Sequence, residues 1–105
     1  MNAVKEKLPA LIEEELEAAN VMHKIFHSPH EGFAVMAEEV DEMVAEMEAV
    51  EKTMKELWGA VKLDDERYGR QMARMIEVKA TRAAAEAIQV AAMARKFQAI
   101  EKGAW

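Results

Sequence analysis

The amino-acid sequence predicts an all-α protein, and composition and apolar spacing together carry that prediction. The 105 residues include 20 alanines, 17 glutamates and nine methionines, which favour helices, but only four glycines and two prolines. Apolar residues recur every three or four positions along most of the chain. This composition disfavours a β-sandwich or barrel, and the absence of cysteine disfavours a disulfide scaffold and a zinc ribbon. The length predicts one domain over residues 1–105.

The first predicted helix runs from about Pro9 to Phe26 and ends near His27. One side of it is acidic, and the other carries apolar residues at spacings of three and four. These apolar residues are Leu8, Leu11, Ile12, Leu16, Ala19 and Met22.

The second predicted helix runs from Pro29 to about Val61. Ser28, Pro29 and Glu31 form a capping box with proline at the first helical position. An unbroken apolar stripe follows, which predicts a helix roughly 50 Å long that packs lengthwise on other helices. The stripe consists of Phe33, Met36, Val40, Met43, Met47, Val50, Met54, Leu57 and Val61.

The third predicted helix runs from about Asp65 to Lys102 and is ended by Gly103. The turn before it lies within residues 59–69, and Asp64 or Asp65 is the expected cap. The chain is therefore expected to form three helices, with a long antiparallel helical hairpin. The apolar surface exceeds what three helices can bury, so we expect a helical bundle built by a homodimer or homotetramer.

Charge is distributed unevenly along the chain. The net charge of -6 argues against a nucleic-acid polymer as partner. No apolar run reaches the roughly 18 residues of a membrane span, and the acidic start is unlike a signal peptide, so a cytoplasmic protein is expected. Residues 30–61 hold nine acids and two bases, whereas residues 66–102 hold four acids and eight bases. Pairing between the two long helices is the expected role of most of these charges, including a basic stripe that could otherwise meet phosphates. That stripe is Arg67, Arg70 and Arg74.

Two groups of polar residues stand out as candidate site residues. Residues 83–94 contain only two polar side chains, Glu86 and Gln89, in a stretch whose apolar surround predicts burial on most sides. Glu86 therefore needs a partner, either Arg82 in a structural salt bridge or a bound cation. The second helix carries a matching acidic group at helical spacing, which is either a solvated face or part of a Mg²⁺ site. That group is Glu38, Glu39, Asp41 and Glu42.

The arrangement of these acids resembles the MazG-like all-α nucleoside triphosphate pyrophosphohydrolases. Their signature is EExxE on one helix and ExxD on a later one, and here Glu38-Glu39-x-x-Glu42 is followed by Glu86-x-x-Gln89. Residues 30–39 are similar to the HEGYAV…EEL segment of a small-protein branch of that family, and residues 86–94 match its EAIQVAAMA segment. Together these segments cover about a quarter of the chain.

The resemblance implies a helical oligomer that hydrolyses a nucleoside triphosphate to the monophosphate and pyrophosphate. By that resemblance Glu39, Glu42 and Glu86 would hold Mg²⁺, and Glu38 would be a ligand or would orient the attacking water. Metal is needed between these acids and a triphosphate, because carboxylates cannot meet phosphate oxygens directly.

The chain departs from the family in two respects. Gln89 stands where the family has aspartate, so the site carries one anion fewer, although an amide can still coordinate a metal or bind a base edge. The segment between Glu42 and Glu86 is also longer than usual, but its midpoint is Asp64, in the predicted turn. A hairpin with equal arms would still bring Glu39 opposite Glu86. An alternative hypothesis is a module of the same fold that binds nucleotides or helices without turnover.

Overall fold

The computed structural model describes residues 2–105 and is helical along most of them. Its elements are α1 (Asn2–Lys5), α2 (Leu8–Asn20), α3 (Pro29–Lys62), α4 (Glu66–Gln98) and a 3₁₀ turn (Lys102–Ala104), and this part of the chain contains no strand. The predicted all-α class is confirmed, and its three helices correspond to α2, α3 and α4. Met1, where the predicted domain begins, lies outside the described residues. None of the helices within residues 2–105 combines the length and the apolar character that crossing a bilayer requires.

The two long helices form the predicted hairpin, which dominates a molecule measuring 61 × 28 × 22 Å. Ser28 caps α3 by accepting a hydrogen bond from the Glu31 amide at 3.2 Å, although the reciprocal bond of a capping box is not formed among the described residues. Asp65 caps α4 in the same way, accepting from the Tyr68 amide at 3.1 Å. Both predicted helix starts are confirmed.

The turn between the long helices is shorter than predicted. It takes only residues 63–65, with Asp64 at its centre in the left-handed region at a φ of 50°. Aspartate tolerates this conformation better than most residues, which explains how the chain reverses without glycine there. Gly59 and Gly69, which bounded the predicted turn, lie inside α3 and α4.

Helix α2 ends at Asn20, six residues before the predicted end at Phe26. Beyond it the chain leaves the helix, and the Phe26 side chain enters the core with 5% of its surface exposed. The buried Lys96 ammonium holds this segment by donating to the His23 carbonyl and lying 4.8 Å from the centre of the Phe26 ring. Contacts with Lys96, which lies 70 residues after Phe26, therefore help to decide where α2 ends.

The core lies at the open end of the hairpin, where α2 packs along α4. It is built around Phe26, Ala92, Met93 and Ile100. Helix α4 ends at Gln98 instead of the predicted Lys102, because the chain turns at Ala99 and so brings Ile100 into this core.

Two expectations about burial are only partly correct. Within the α3 stripe, Met36, Met43, Val50 and Leu57 are half-buried, but the other five members are exposed. In the alanine-rich stretch of α4, Ala84, Ala85 and Ala87 are also exposed. Both results have one cause: α3 and α4 cover only one side of each other, and α2 reaches only part of the hairpin.

The expected charge pairing between the long helices is wrong for the described residues. The ion pairs formed there join Arg70 to Glu66 within α4 at 2.8 Å, and Arg95 to Glu13 of α2 at 2.9 Å. Among the described residues, the acids of α3 and most of the bases of α4 take part in no ion pair.

Candidate functional site

Three of the predicted site carboxylates lie together between the two long helices. One oxygen each of Glu39 and Glu42 on α3, and of Glu86 on α4, lie within 4.8 Å of one another. Equal hairpin arms explain this meeting, because the turn at Asp64 is midway between Glu42 and Glu86. We call these three residues the carboxylate cluster.

Gln89 ties the cluster together across the helix interface. With its amide oriented to match its neighbours, Gln89 Nε2 donates to Glu39 Oε2 at 2.8 Å and to Glu86 Oε2 at 3.1 Å. Each of these bonds is charge-assisted when the carboxylate is ionised. The amide thus draws together two groups of like charge, a task that aspartate at this position could not perform.

Burial and mutual repulsion raise the pKa of two members of the cluster. The pKa of Glu39 is raised above 4.5 first by partial burial and then by the charges of Glu42, Glu86, Glu38 and Glu15. The pKa of Glu86 is raised by burial, then by the charge of Glu42 and a hydrogen bond with it, and finally by Glu46. Because burial and neighbouring charges disfavour the ionised forms of these carboxylates, a bound cation would stabilise those ionised forms.

Glu38 is the predicted site residue that does not join the cluster. Its side chain is exposed and lies outside the group of three oxygens, although its charge is felt by Glu39. Arg82, the alternative partner predicted for Glu86, forms no ion pair with it in the described structure. The structural salt bridge considered for Glu86 is therefore absent from residues 2–105.

Glu15 is a contributor that the sequence reasoning missed. It lies on α2, is half-buried, and its charge raises the pKa of Glu39, which places a carboxylate from a third helix near the cluster. A signal was available: Leu8, Ile12, Glu15 and Ala19 follow spacings of four, three and four. Glu15 thus occupies a position of the apolar stripe.

A groove of about 340 Å³ runs beside the cluster between α2 and α4. Glu14 and Glu15 line its α2 side, while Ile88 and Gln89 line its α4 side. Gln89 is therefore reached both from this groove and from the cluster.

The cluster has the oxygen donors that a small divalent cation requires. Mg²⁺ binds oxygen at about 2.1 Å in octahedral geometry, which places ligand oxygens roughly 3–4 Å apart. Oxygens within 4.8 Å of one another need only small side-chain shifts to reach that spacing. The remaining coordination positions would be left for water and for substrate oxygens.

Comparison of the chain with family models, with curated proteins and with solved structures finds no match in any of the three. The features of this chain that bear on the function of the site are its geometry and the resemblance carried by residues 30–39 and 86–94.

Proposed function

We propose that the chain is a Mg²⁺-dependent nucleoside triphosphate pyrophosphohydrolase of the MazG-like type. The observation that carries the proposal is the meeting of Glu39, Glu42 and Glu86 from two helices within 4.8 Å. These are the residues that the resemblance to the MazG-like family makes metal ligands. The raised pKa values of Glu39 and Glu86 add support, since their ionised carboxylates need a counter-cation.

The reaction suits a site that offers carboxylates and lacks a nucleophile. A water oxygen would bond to the α-phosphorus while the bond from that phosphorus to the bridging oxygen breaks, so that pyrophosphate leaves and a nucleoside monophosphate remains. Mg²⁺ when bound would neutralise charge on the phosphate oxygens. Glu39, Glu42 and Glu86 would position the phosphates by holding the ion, and exposed Glu38 beside Glu39 would orient the water and take up its proton.

Turnover of a panel of nucleoside triphosphates with Mg²⁺ tests the proposal directly. We expect release of pyrophosphate and a monophosphate, and a loss of kcat/KM of about a hundredfold or more in Glu39→Gln and in Glu86→Gln. Glu48→Gln is the matched control, because it removes one exposed charge from α3 outside the cluster. The proposal fails if no nucleotide is cleaved, or if both cluster variants keep full turnover.

A second candidate is favoured by Gln89 in the place of the family's aspartate. With one anion fewer, the same fold would bind nucleotides without cleaving them. Gln89→Asp separates the candidates, since a fourth carboxylate should strengthen Mg²⁺ binding. Nucleotide binding without turnover, together with turnover gained in Gln89→Asp, would favour this second candidate.

A further inference from the structure

A second groove, of about 310 Å³, lies on α4 towards the hairpin turn and is rich in cations. Three of its six lining residues are basic: Arg74, Lys79 and Arg82. Met75 and Val78 form part of its apolar floor. We call it the cationic groove.

The cations of this groove are not neutralised within the described chain. None of the three forms an ion pair with a carboxylate among residues 2–105. Lys79 Nζ, partly buried between the long helices, donates to Thr53 Oγ1 at 3.0 Å, and Thr53 Oγ1 in turn donates to the Ala49 carbonyl at 2.9 Å. This neutral partner holds the ammonium in place and leaves its charge and two of its three donors available.

The cationic groove lies on the same face of α4 as the carboxylate cluster. Positions 71, 75, 78 and 82 of the groove continue to 85 and 89 at spacings of four and three, so one helical face joins them to Gln89. Arg82 is roughly 6 Å and Lys79 roughly 10 Å along the helix axis from Glu86, whereas Arg74 is roughly 18 Å away.

The charge on the two sides of the cluster sets a direction for a bound polyphosphate. On the α2 side of the cluster, the groove between α2 and α4 is lined by Glu14 and Glu15, which repel phosphates. Towards the turn, Arg82 and Lys79 attract them. An anionic chain held at the cluster therefore extends towards the turn.

From this arrangement we infer that the cationic groove is the binding subsite for the two outer phosphates of the substrate. The inference rests on the proposed function, because it presumes that the inner phosphate lies at the carboxylate cluster. Arg82 lies roughly 6 Å and Lys79 roughly 10 Å along α4 from Glu86, and charge-assisted bonds from these long side chains to the outer phosphates would stabilise the departing pyrophosphate. The site would thus prefer triphosphates to diphosphates.

Binding of inorganic pyrophosphate in the presence of Mg²⁺, measured by titration calorimetry, tests the subsite without requiring turnover. We expect Arg82→Gln and Lys79→Gln each to weaken binding by about tenfold or more. Arg82 is exposed, so its variant should fold even if loss of the Lys79–Thr53 bond disturbs the hairpin. Arg67→Gln is the matched control, because it removes an exposed arginine of α4 that does not line the groove.

The outcomes separate this inference from the proposed function. If the wild type cleaves no nucleotide but binds pyrophosphate through Arg82 and Lys79, the phosphate subsite is supported and the proposed function is wrong. If the enzyme turns over and the groove variants match wild type in pyrophosphate binding and in triphosphate over diphosphate preference, the groove assignment is wrong. It is also wrong if Arg67→Gln weakens binding equally, or if the groove variants change only the oligomeric state, as docking of an acidic helix would require.

Discussion

At the scale of single residues, the ionised side chains of the carboxylate cluster repel one another. Glu39 and Glu86 both have a raised pKa, chiefly from burial and then from neighbouring carboxylates. The Gln89 amide offsets part of that repulsion by donating to both. The site is therefore assembled before any cation binds, at a cost in stability that depends on pH.

The pH dependence of stability should reveal this cost. Because folding raises the pKa of Glu39 above its ordinary value of 4.5, the folded state binds more protons than the unfolded state. The stabilisation that comes from protonating Glu39 in the folded state is fully present below about pH 4.5, and it is lost as the pH rises through the raised pKa of Glu39. In EDTA, Glu39→Gln should therefore melt at a higher temperature than wild type at pH 7.5, and the difference should vanish at pH 4.

Saturating Mg²⁺ should raise the Tm of wild type at pH 7.5 and leave Glu39→Gln nearly unchanged. Glu48→Gln controls for the loss of one negative charge from α3. A Glu39→Gln protein that melts below wild type at pH 7.5, in the absence of metal, would contradict the account of a self-repelling cluster.

At the scale of elements, the start of α3 is fixed to the core by a close approach that only glycine permits. A methyl group at Gly32 would lie 2.7 Å from Phe97 Cδ2 and 2.9 Å from Phe26 Cδ2. Both rings belong to the packing that joins α3, α4 and the segment after α2. Any side chain at position 32 must displace them.

Gly32→Ala should lower the free energy of unfolding by about 1–3 kcal/mol, through overpacking. Gly59→Ala provides the matched comparison, because nothing lies within 4 Å of a methyl group there. That variant should gain about 0.5–1 kcal/mol from helix propensity alone. Urea denaturation of both variants measures the difference, and equal effects of the same sign would show that the close approach at Gly32 does not limit the core.

At the scale of the whole molecule, a row of large apolar side chains along α3 is left uncovered. Phe33 is 71% exposed, Trp58 59% and Met54 50%. The other members are Val40, Val44, Met47 and Val61. A standard interface buries roughly 800 Å² on each partner, and a row of large exposed apolar side chains is suited to its apolar centre.

A second copy of the chain is the partner that we predict for this surface. Ala73, Ala80 and Ala87 form a row of small exposed residues on α4 at intervals of seven. Because Val61 and Ala73 line one groove, this alanine row lies on the same side of the hairpin as the apolar row of α3. A two-fold axis parallel to the helices would place the apolar row on α3 of one copy over the alanine row on α4 of the other. This arrangement would bury the apolar row and leave the carboxylate cluster accessible from the α2 side.

We therefore expect a homodimer at micromolar concentration in light scattering, with homotetramers built from it. Met54→Glu should produce a folded monomer, because a carboxylate would be buried at the centre of the interface. Val21→Glu is the control: Val21 is 80% exposed and follows α2, away from the row. A monomeric wild type, or equal dissociation in both variants, would rule out this interface.

Local sequence determined much of the fold and part of the candidate site. Ser28 and Asp65 start the long helices, and the equal hairpin arms bring Glu39 and Glu42 to Glu86. A cap acts over three residues and helix geometry is regular, so both can be read from neighbouring positions. The metal-binding role and the activity assigned to these residues stay predictions.

Tertiary packing decided what local patterns left open. The ends of α2 and α4 depend on Phe26 and Ile100 reaching one core, and the role of Gln89 depends on facing two helices at once. The apolar stripe of α3 was visible in the sequence, but which half of it another helix covers was not. Burial and charge are set by residues far apart along the chain, and only the folded arrangement brings those residues together.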